Sequence, residues 1–322
     1  MRTTAQFPLN PGAEVNSYGL CGWRVASTLP LPDLRLWTGD DRRPDLSIDL
    51  GPVPARLTDL KLERPLLQVA ADDTTRFAVP GVGAYLIDPE GRSVVIDPEI
   101  EAAAPDIRVF LLGTVFGIIC YRRGLLPLHA SCVRIGDRAV ALAGTSGVGK
   151  STLAAALLRH GCAVLADDVT VVDVGAPGGP QVLSTFPRLK LWHDAMTRME
   201  FPTDGLERCR PDLEKFSLPI GASHCADPLP LAAVFHLDPD IPRRDGLLRR
   251  LHGPEAVARI GRDLYRRAMM VRFGLSAEVL ASTLQVARAP AGIWLLAHGH
   301  EPGDLDRSVA CILDRMADAG AP

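Results

Sequence analysis

The chain has no CxxC cysteine pair, no apolar run of membrane-spanning length and no excess of positive charge, and each absence closes off a class of function. Its seven cysteines (Cys21, Cys120, Cys132, Cys162, Cys209, Cys225, Cys311) are scattered and odd in number. They read as reduced, mostly buried thiols rather than a metal knuckle or a disulfide frame. The most apolar stretch, VFLLGTVFGIIC at residues 109–120, is about 12 residues long, against the roughly 20 that a helix needs to cross a bilayer. It reads as part of a buried helix. The opening MRTTAQFPLNPGAEV lacks the apolar core of a secretory signal, so the expectation is a cytoplasmic protein without membrane contact. A net charge of −3 and a pI near 6.2 leave no electrostatic footprint for nucleic acid. Internal repeats and low-complexity tracts are also missing. Arginine greatly outnumbers lysine, a composition bias that carries no functional weight.

What is present is an ordinary globular composition, 47% hydrophobic and 23% charged over 322 residues, enough for a full core and two domains. The first hundred residues carry short apolar runs broken by Pro, Gly and Asp, notably at 27–37, 45–51, 76–91 and 93–99, which predict strands with turns between them. Residues 106–122 predict a long buried helix. The expected division is an N-terminal α+β domain over 1–125, a candidate for substrate binding, and an α/β domain over 126–322.

That second domain opens on a strand pair turning at Gly136 and Asp137, and its second strand, 139–143, runs into GTSGVGKS. Gly144, Thr145, Ser146, Gly147, Val148, Gly149, Lys150 and Ser151 fit the GxxxxGK[ST] phosphate loop, with Thr152 next to it. The spacing has a physical reason. Glycines let successive main-chain N–H groups converge on phosphate oxygens, and the helix that follows adds the positive end of its dipole. Lys150 can reach the β- and γ-phosphates, and the Ser151 hydroxyl can ligate Mg²⁺. ATP and Mg²⁺ are the expected cofactors. After a helix over 151–161 comes a strand over 162–166, expected to lie directly beside 139–143, with Asp167 and Asp168 emerging near the γ-phosphate. One carboxylate can hold the metal and the other take a hydroxyl proton. The alternative is one metal-holding Asp next to a cap or surface charge, as in an ATPase. His129, ahead of the strand pair, can orient one of the aspartates or be purely structural.

Other candidates follow from alternation and charge. Arg188 and Lys190 share one face of an expected strand and can neutralise phosphate. Lys215 is a weaker version of the same idea. Asp194 or Glu200 can complete a metal shell, although no spacing favours either. The His298–Gly299–His300 triplet has no third ligand and makes a poor zinc site. Residues 204–230 are polar with little periodicity, residues 254–270 predict one amphipathic helix, and the basic residues over 259–273 read as its solvated face, with docking of an acidic peptide as the alternative. Strands are also expected at 231–239 and 292–299, a closing helix at 306–320, and core positions at Trp192 and Trp294.

The segment LHASCVRIGDRAVALAGTSGVGKSTLAAALLRHGCAVLADDVTVV, residues 128–172, resembles the catalytic domain of HPr kinase/phosphorylase. The likeness lies in a His before a strand pair, the phosphate loop, a helix ending in RHG, and ADD. It implies an HPr-kinase-like serine kinase in which Asp167 deprotonates the substrate hydroxyl and Asp168 partners His129 or, with Ser151, the metal. The glycine-rich segment that follows the aspartates in HPr kinase is absent here. NSYGLCGWRVASTLPLPDL, residues 16–34, is similar to the opening of HPr-kinase-like proteins found with lasso peptide biosynthesis. That branch implies a peptide substrate, a lasso precursor phosphorylated on a serine near its C-terminus. A homo-oligomer is compatible with the sequence. The rival readings are a kinase of a free small molecule, an enzyme related to ATP-dependent phosphoenolpyruvate carboxykinase, and a nucleotide-binding regulator without phosphotransfer.

Overall fold

Strand register and helix caps in the computed structural model are described for residues 14–209, 213–241, 247–299, 301 and 303–319. The chain divides into two compact units between Arg123 and Gly124. Both mix helices with large sheets, an α/β architecture in the broad sense. Among the described residues no helix is long and apolar enough to cross a membrane.

The first unit is built on a nine-stranded sheet. Its strands are β1 (Asn16–Leu20), β2 (Trp23–Ser27), β3 (Arg35–Leu36), β4 (Leu46–Leu50), β5 (Leu60–Arg64), β6 (Leu67–Ala70), β7 (Thr75–Val79), β8 (Gly83–Ile87) and β9 (Ser93–Pro98). The spatial order is β3-β1-β2-β4-β9-β8-β7-β6-β5, so most neighbours are hairpin partners, and β4 is parallel to both its neighbours, β2 and β9. The expected long helix is present as α1 (Pro105–Phe110) and α2 (Phe116–Arg122), joined by a π-helical turn at Leu111–Val115.

The second unit carries the phosphate-loop segment. Its elements are β10 (Leu126–Leu128), β11 (Ala130–Ile135), β12 (Arg138–Ala143), α3 (Lys150–Arg159), β13 (Ala163–Ala166), β14 (Thr170–Asp173), β15 (Gln181–Leu183), β16 (Arg188–Trp192), α4 (His193–Arg198), β17 (Lys215–Pro219), β18 (Leu229–Asp238), β19 (Leu248–Leu251), α5 (Gly253–Arg262), α6 (Arg267–Arg272), α7 (Ser276–Val286), β20 (Gly292–Ala297) and α8 (Asp304–Asp318). The main path of its sheet runs β13-β11-β12-β18-β20-β19. β12, β18 and β20 are parallel, and their inner residues are buried on both faces, as central parallel strands require. β13 does not lie beside β12 as expected. β11 intervenes, antiparallel to both, so β13 still runs in the direction of β12 and their C-terminal ends share one edge. A short hairpin connection made the closer partner, and sequence adjacency through α3 did not decide the pairing.

The expected helix over 254–270 is broken. α5 ends at Arg262, and the chain then pairs with β10: Tyr265 N–H donates to Pro127 O at 2.9 Å, and Leu128 bridges Leu264. Tertiary pairing overrides helical periodicity there. The polar stretch 204–230 contains β17, which pairs with β16 on one side and with the irregular segment around Arg208 on the other, and so leaves little burial pattern in the sequence. α3 packs Leu153, Ala154 and Leu157 into a core shared with Leu189 and Leu191 of β16 and with Ile312 and Met316 of α8. That packing fixes which side of β16 faces away from the core.

Candidate functional site

The phosphate loop follows β12 and ends at the N-terminus of α3. Gly144 has a φ of +137°, and a Cβ there would meet Leu237 O at 2.8 Å. Gly149 has a φ of +101°, and its Cβ would meet His298 Nε2 at 2.9 Å. Only glycine satisfies both constraints, so the loop's main chain approaches its surroundings more closely than any side chain would permit. Lys150 Nζ lies against the loop itself, donating to Gly144 O and Thr145 O, each at 2.9 Å. Burial lowers the Lys150 pKa, and the Asp167 carboxylate partly counters it. Val148 is buried in the core.

The two aspartates serve different neighbours. Asp167 is 3% exposed. Its Oδ1 accepts from Ser131 Oγ at 2.6 Å and Ser151 Oγ at 2.8 Å, and its Oδ2 accepts from Lys190 N–H at 2.7 Å. Asp168 takes a left-handed φ of +72°, which Asp tolerates better than most residues. Its side chain keeps 25% exposure, and Oδ2 accepts from Lys190 Nζ at 2.9 Å. Asp167, expected as the base, is enclosed with both oxygens committed. Asp168, expected as a metal ligand with Ser151, is the carboxylate open to solvent, and Asp167 is the one joined to Ser151. Burial alone would raise the Asp168 carboxyl, but the Lys190 ammonium, with Lys215 behind it, holds it well below the usual carboxylate range.

His129 is brought to this pair. Its Nδ1 lies 3.1 Å from Asp168 O and 3.6 Å from Asp168 Oδ1. A carbonyl only accepts, so Nδ1 carries the proton and donates to it. Burial, then the charge of Lys150, lowers the His129 pKa, which favours this neutral form. The main chain of His129 is held from the break after α5, where its N–H donates to Asp263 O at 2.6 Å. Asp263 in turn has Oδ2 2.6 Å from Nδ1 of the buried His236.

Asp168, His129, Lys150 and Ser151, though not the enclosed Asp167, line one cavity of about 1040 Å³. Ser146, Gly147, Gly149, Lys150, Ser151 and Thr152 form one end, and His129, Asp168, Lys190, Trp192 and Lys215 form the other. Gly144, Thr145 and Val148 do not line it: the first two give carbonyls to Lys150 and the third is core. Arg188 is not brought to it either. Its guanidinium lies 5.1 Å from the Phe186 ring, and burial pushes its pKa down to about 10. Lys190 faces the cavity because Leu189 and Leu191 on either side point into the α3 core. The same alternation corrects the reading of Trp192, which is 44% exposed on the cavity side and not in the core. Trp294 is partly buried against the core, its Nε1–H donating to Ala291 O at 2.8 Å.

Among the described residues no group of three or more His, Cys, Asp or Glu is arranged to hold a metal ion. Asp194 lines the cavity and lies 3.5 Å from Arg198, whereas Glu200 does not line it. His298 is buried, with Nδ1 2.9 Å from Ser308 Oγ, and acts as a wall for Gly149. His300 lies outside the described residues. Arg259, on the basic helix, is paired to Asp238 at 2.8 Å. Ser131 was missed from sequence. Its signal was a hydroxyl among the buried residues that open β11, where burial demands a partner. The chain matches no protein-family model and no curated protein.

Proposed function

We propose that the protein is an ATP-dependent kinase of the HPr-kinase type that transfers the γ-phosphoryl group to a serine hydroxyl of a peptide, with a lasso precursor as the first acceptor to test. The observation that carries this reading is the division of labour between the aspartates. An ATPase needs a carboxylate on the phosphate-loop serine, and Asp167 on Ser151 meets that need. It does not need a second carboxylate opened to the same cavity and oriented by a His and a Lys, which Asp168 is.

The donor set fits a nucleotide triphosphate with Mg²⁺. The loop and the α3 N-terminus supply main-chain N–H groups, and Lys150 would exchange its carbonyl partners for phosphate oxygens. Ser151 and Asp167 would hold the metal, which supplies charge neutralisation at the β- and γ-phosphates when bound. Asp168 is ionised throughout the physiological range and receives the proton of the acceptor hydroxyl. The O–H bond breaks as the new O–P bond forms, and the bridging P–O bond of the γ-phosphoryl breaks to release ADP. A carboxylate this acidic is a weak base, so the proton moves late, which suits a loose transition state. Neutral His129 orients Asp168 through its main-chain carbonyl. The test is incubation with ATP, Mg²⁺ and serine-containing precursor peptides, read by mass spectrometry. Expected is a mass gain of one phosphoryl group, lost in Asp168→Asn. Intact ATP binding with no transfer to any peptide overturns the kinase in favour of a nucleotide-binding regulator.

A further inference from the structure

Three lysines reach this cavity, and their commitments differ. Lys150 is bonded to the loop carbonyls. Lys190 is bonded to Asp168. Among the described residues no carboxylate lies within ion-pair distance of Lys215; its neighbour Glu214 is taken by Arg208 at 2.8 Å. Lys215 sits on β17 directly opposite Trp192 of β16, and cross-strand partners share a face of the ribbon. That face is the cavity face, which Trp192 and Lys190 both line. The Lys215 Nζ lies 5.8 Å from the Trp192 ring centroid, within cation–π range, and both side chains line the cavity. Lys215 lines the same cavity as Lys150, Ser151, His129 and Asp168, the space in which a phosphoryl group would pass between loop and base.

We propose that Lys215 is the cation that meets the transferred phosphoryl group from the acceptor side, opposite Lys150. This rests on the kinase reading for its chemistry. During transfer the negative charge spreads over the equatorial oxygens, and a cation placed where that charge develops stabilises the transition state more than the bound substrate. Lys150 approaches from the loop, and Lys190 cannot leave Asp168 without exposing an unpaired carboxylate. Lys215 acts on the charge alone and forms no bond to phosphorus.

The experiment compares wild type with Lys215→Met, Lys215→Arg and Trp192→Phe. The first measurement is the affinity for Mg²⁺–ADP with and without aluminium fluoride, a mimic of the planar phosphoryl group, and it needs no acceptor. Lys215→Met is expected to bind Mg²⁺–ADP as wild type does but to lose about 10²-fold of the tightening caused by the fluoride. Lys215→Arg restores part of it, and Trp192→Phe leaves it nearly intact. The second measurement is peptide transfer, where Lys215→Met lowers kcat with the KM for ATP unchanged. Equal tightening in wild type and Lys215→Met, or none in either, overturns the assignment. So does a Trp192→Phe variant that reproduces Lys215→Met, because the lysine then serves only to pack the ring. Lysine-dependent tightening without transfer to any peptide sustains the role of Lys215 and removes the peptide-kinase reading instead.

Discussion

The loop end of the cavity is built from main chain, and the ribbon end from side chains. At the loop end, Gly144 and Gly149 hold the backbone where no Cβ fits, and the binding groups are amides common to every residue. At the ribbon end, Asp168, Lys190 and Lys215 come from three separate segments, and each would work through its own charge. The first kind of site tolerates side-chain changes and fails on backbone changes. The second tolerates small backbone shifts and fails on loss of a single charge.

The contrast leads to four expectations, in falling order of effect. At the ribbon end, Asp168→Asn lowers kcat by about 10²–10⁴-fold, the range for losing a proton acceptor, and leaves Mg²⁺–nucleotide affinity nearly unchanged. Asp167→Asn does the opposite, removing the Mg²⁺-dependent part of nucleotide affinity. Equilibrium binding with and without Mg²⁺ separates the two variants, and an exchange of phenotypes would overturn the division of labour. Next, Lys150→Met lowers transfer by about 10²–10³-fold through lost phosphate contacts. A wild-type rate would show that the loop amides suffice without the ammonium.

Gly149→Ala tests the backbone half of the contrast. Its φ of +101° and the contact with His298 Nε2 at 2.9 Å predict a loss of about 1–3 kcal/mol, measured by urea denaturation. An unchanged midpoint would mean that the loop relaxes freely and is not held as described. The smallest effect is in pH. The folded-state pKa of His129 lies below its ordinary 6.5. The unfolded chain therefore binds that proton first, and the stability contributed by neutral His129 is present above pH 6.5 and lost as pH falls below it. The depressed Asp168 carboxyl contributes above its ordinary 3.8 and is lost only at lower pH still. Between these limits the rate is expected to fall with acid along one limb, which disappears in His129→Asn. A limb that survives that substitution assigns the titration to another group.

What could be read along the chain followed the same division. The glycine-rich turn between β12 and α3 was readable because its residues are consecutive and the physics is local. The adjacency of Asp167 and Asp168 was readable as well, but not which carboxylate faces the acceptor. Their roles depend on Ser131 and Ser151 closing around the first and on the left-handed turn at the second. Arg188 and Lys190 looked equivalent by alternation, and only the course of the chain around Phe186 turned one of them away. Lys215 stood in a stretch without periodicity because its short strand buries little beyond Phe216.

In the first unit, runs at 45–51, 76–91 and 93–99 became strands, yet the order in which β4 and β9 bring the hairpins together was not written in any of them. The sequence by itself determined the α/β character, the loop, its helix and the acidic pair at the strand end, because glycine placement, apolar runs and turn chemistry act over a few neighbouring residues. The tertiary structure alone decided that β11 separates β12 from β13, that the helix after residue 253 breaks to hold His129, and that Lys215 lines the same cavity as Asp168. Those outcomes rest on pairing and burial between segments far apart in the chain, where the free energy of contact outweighs local preference.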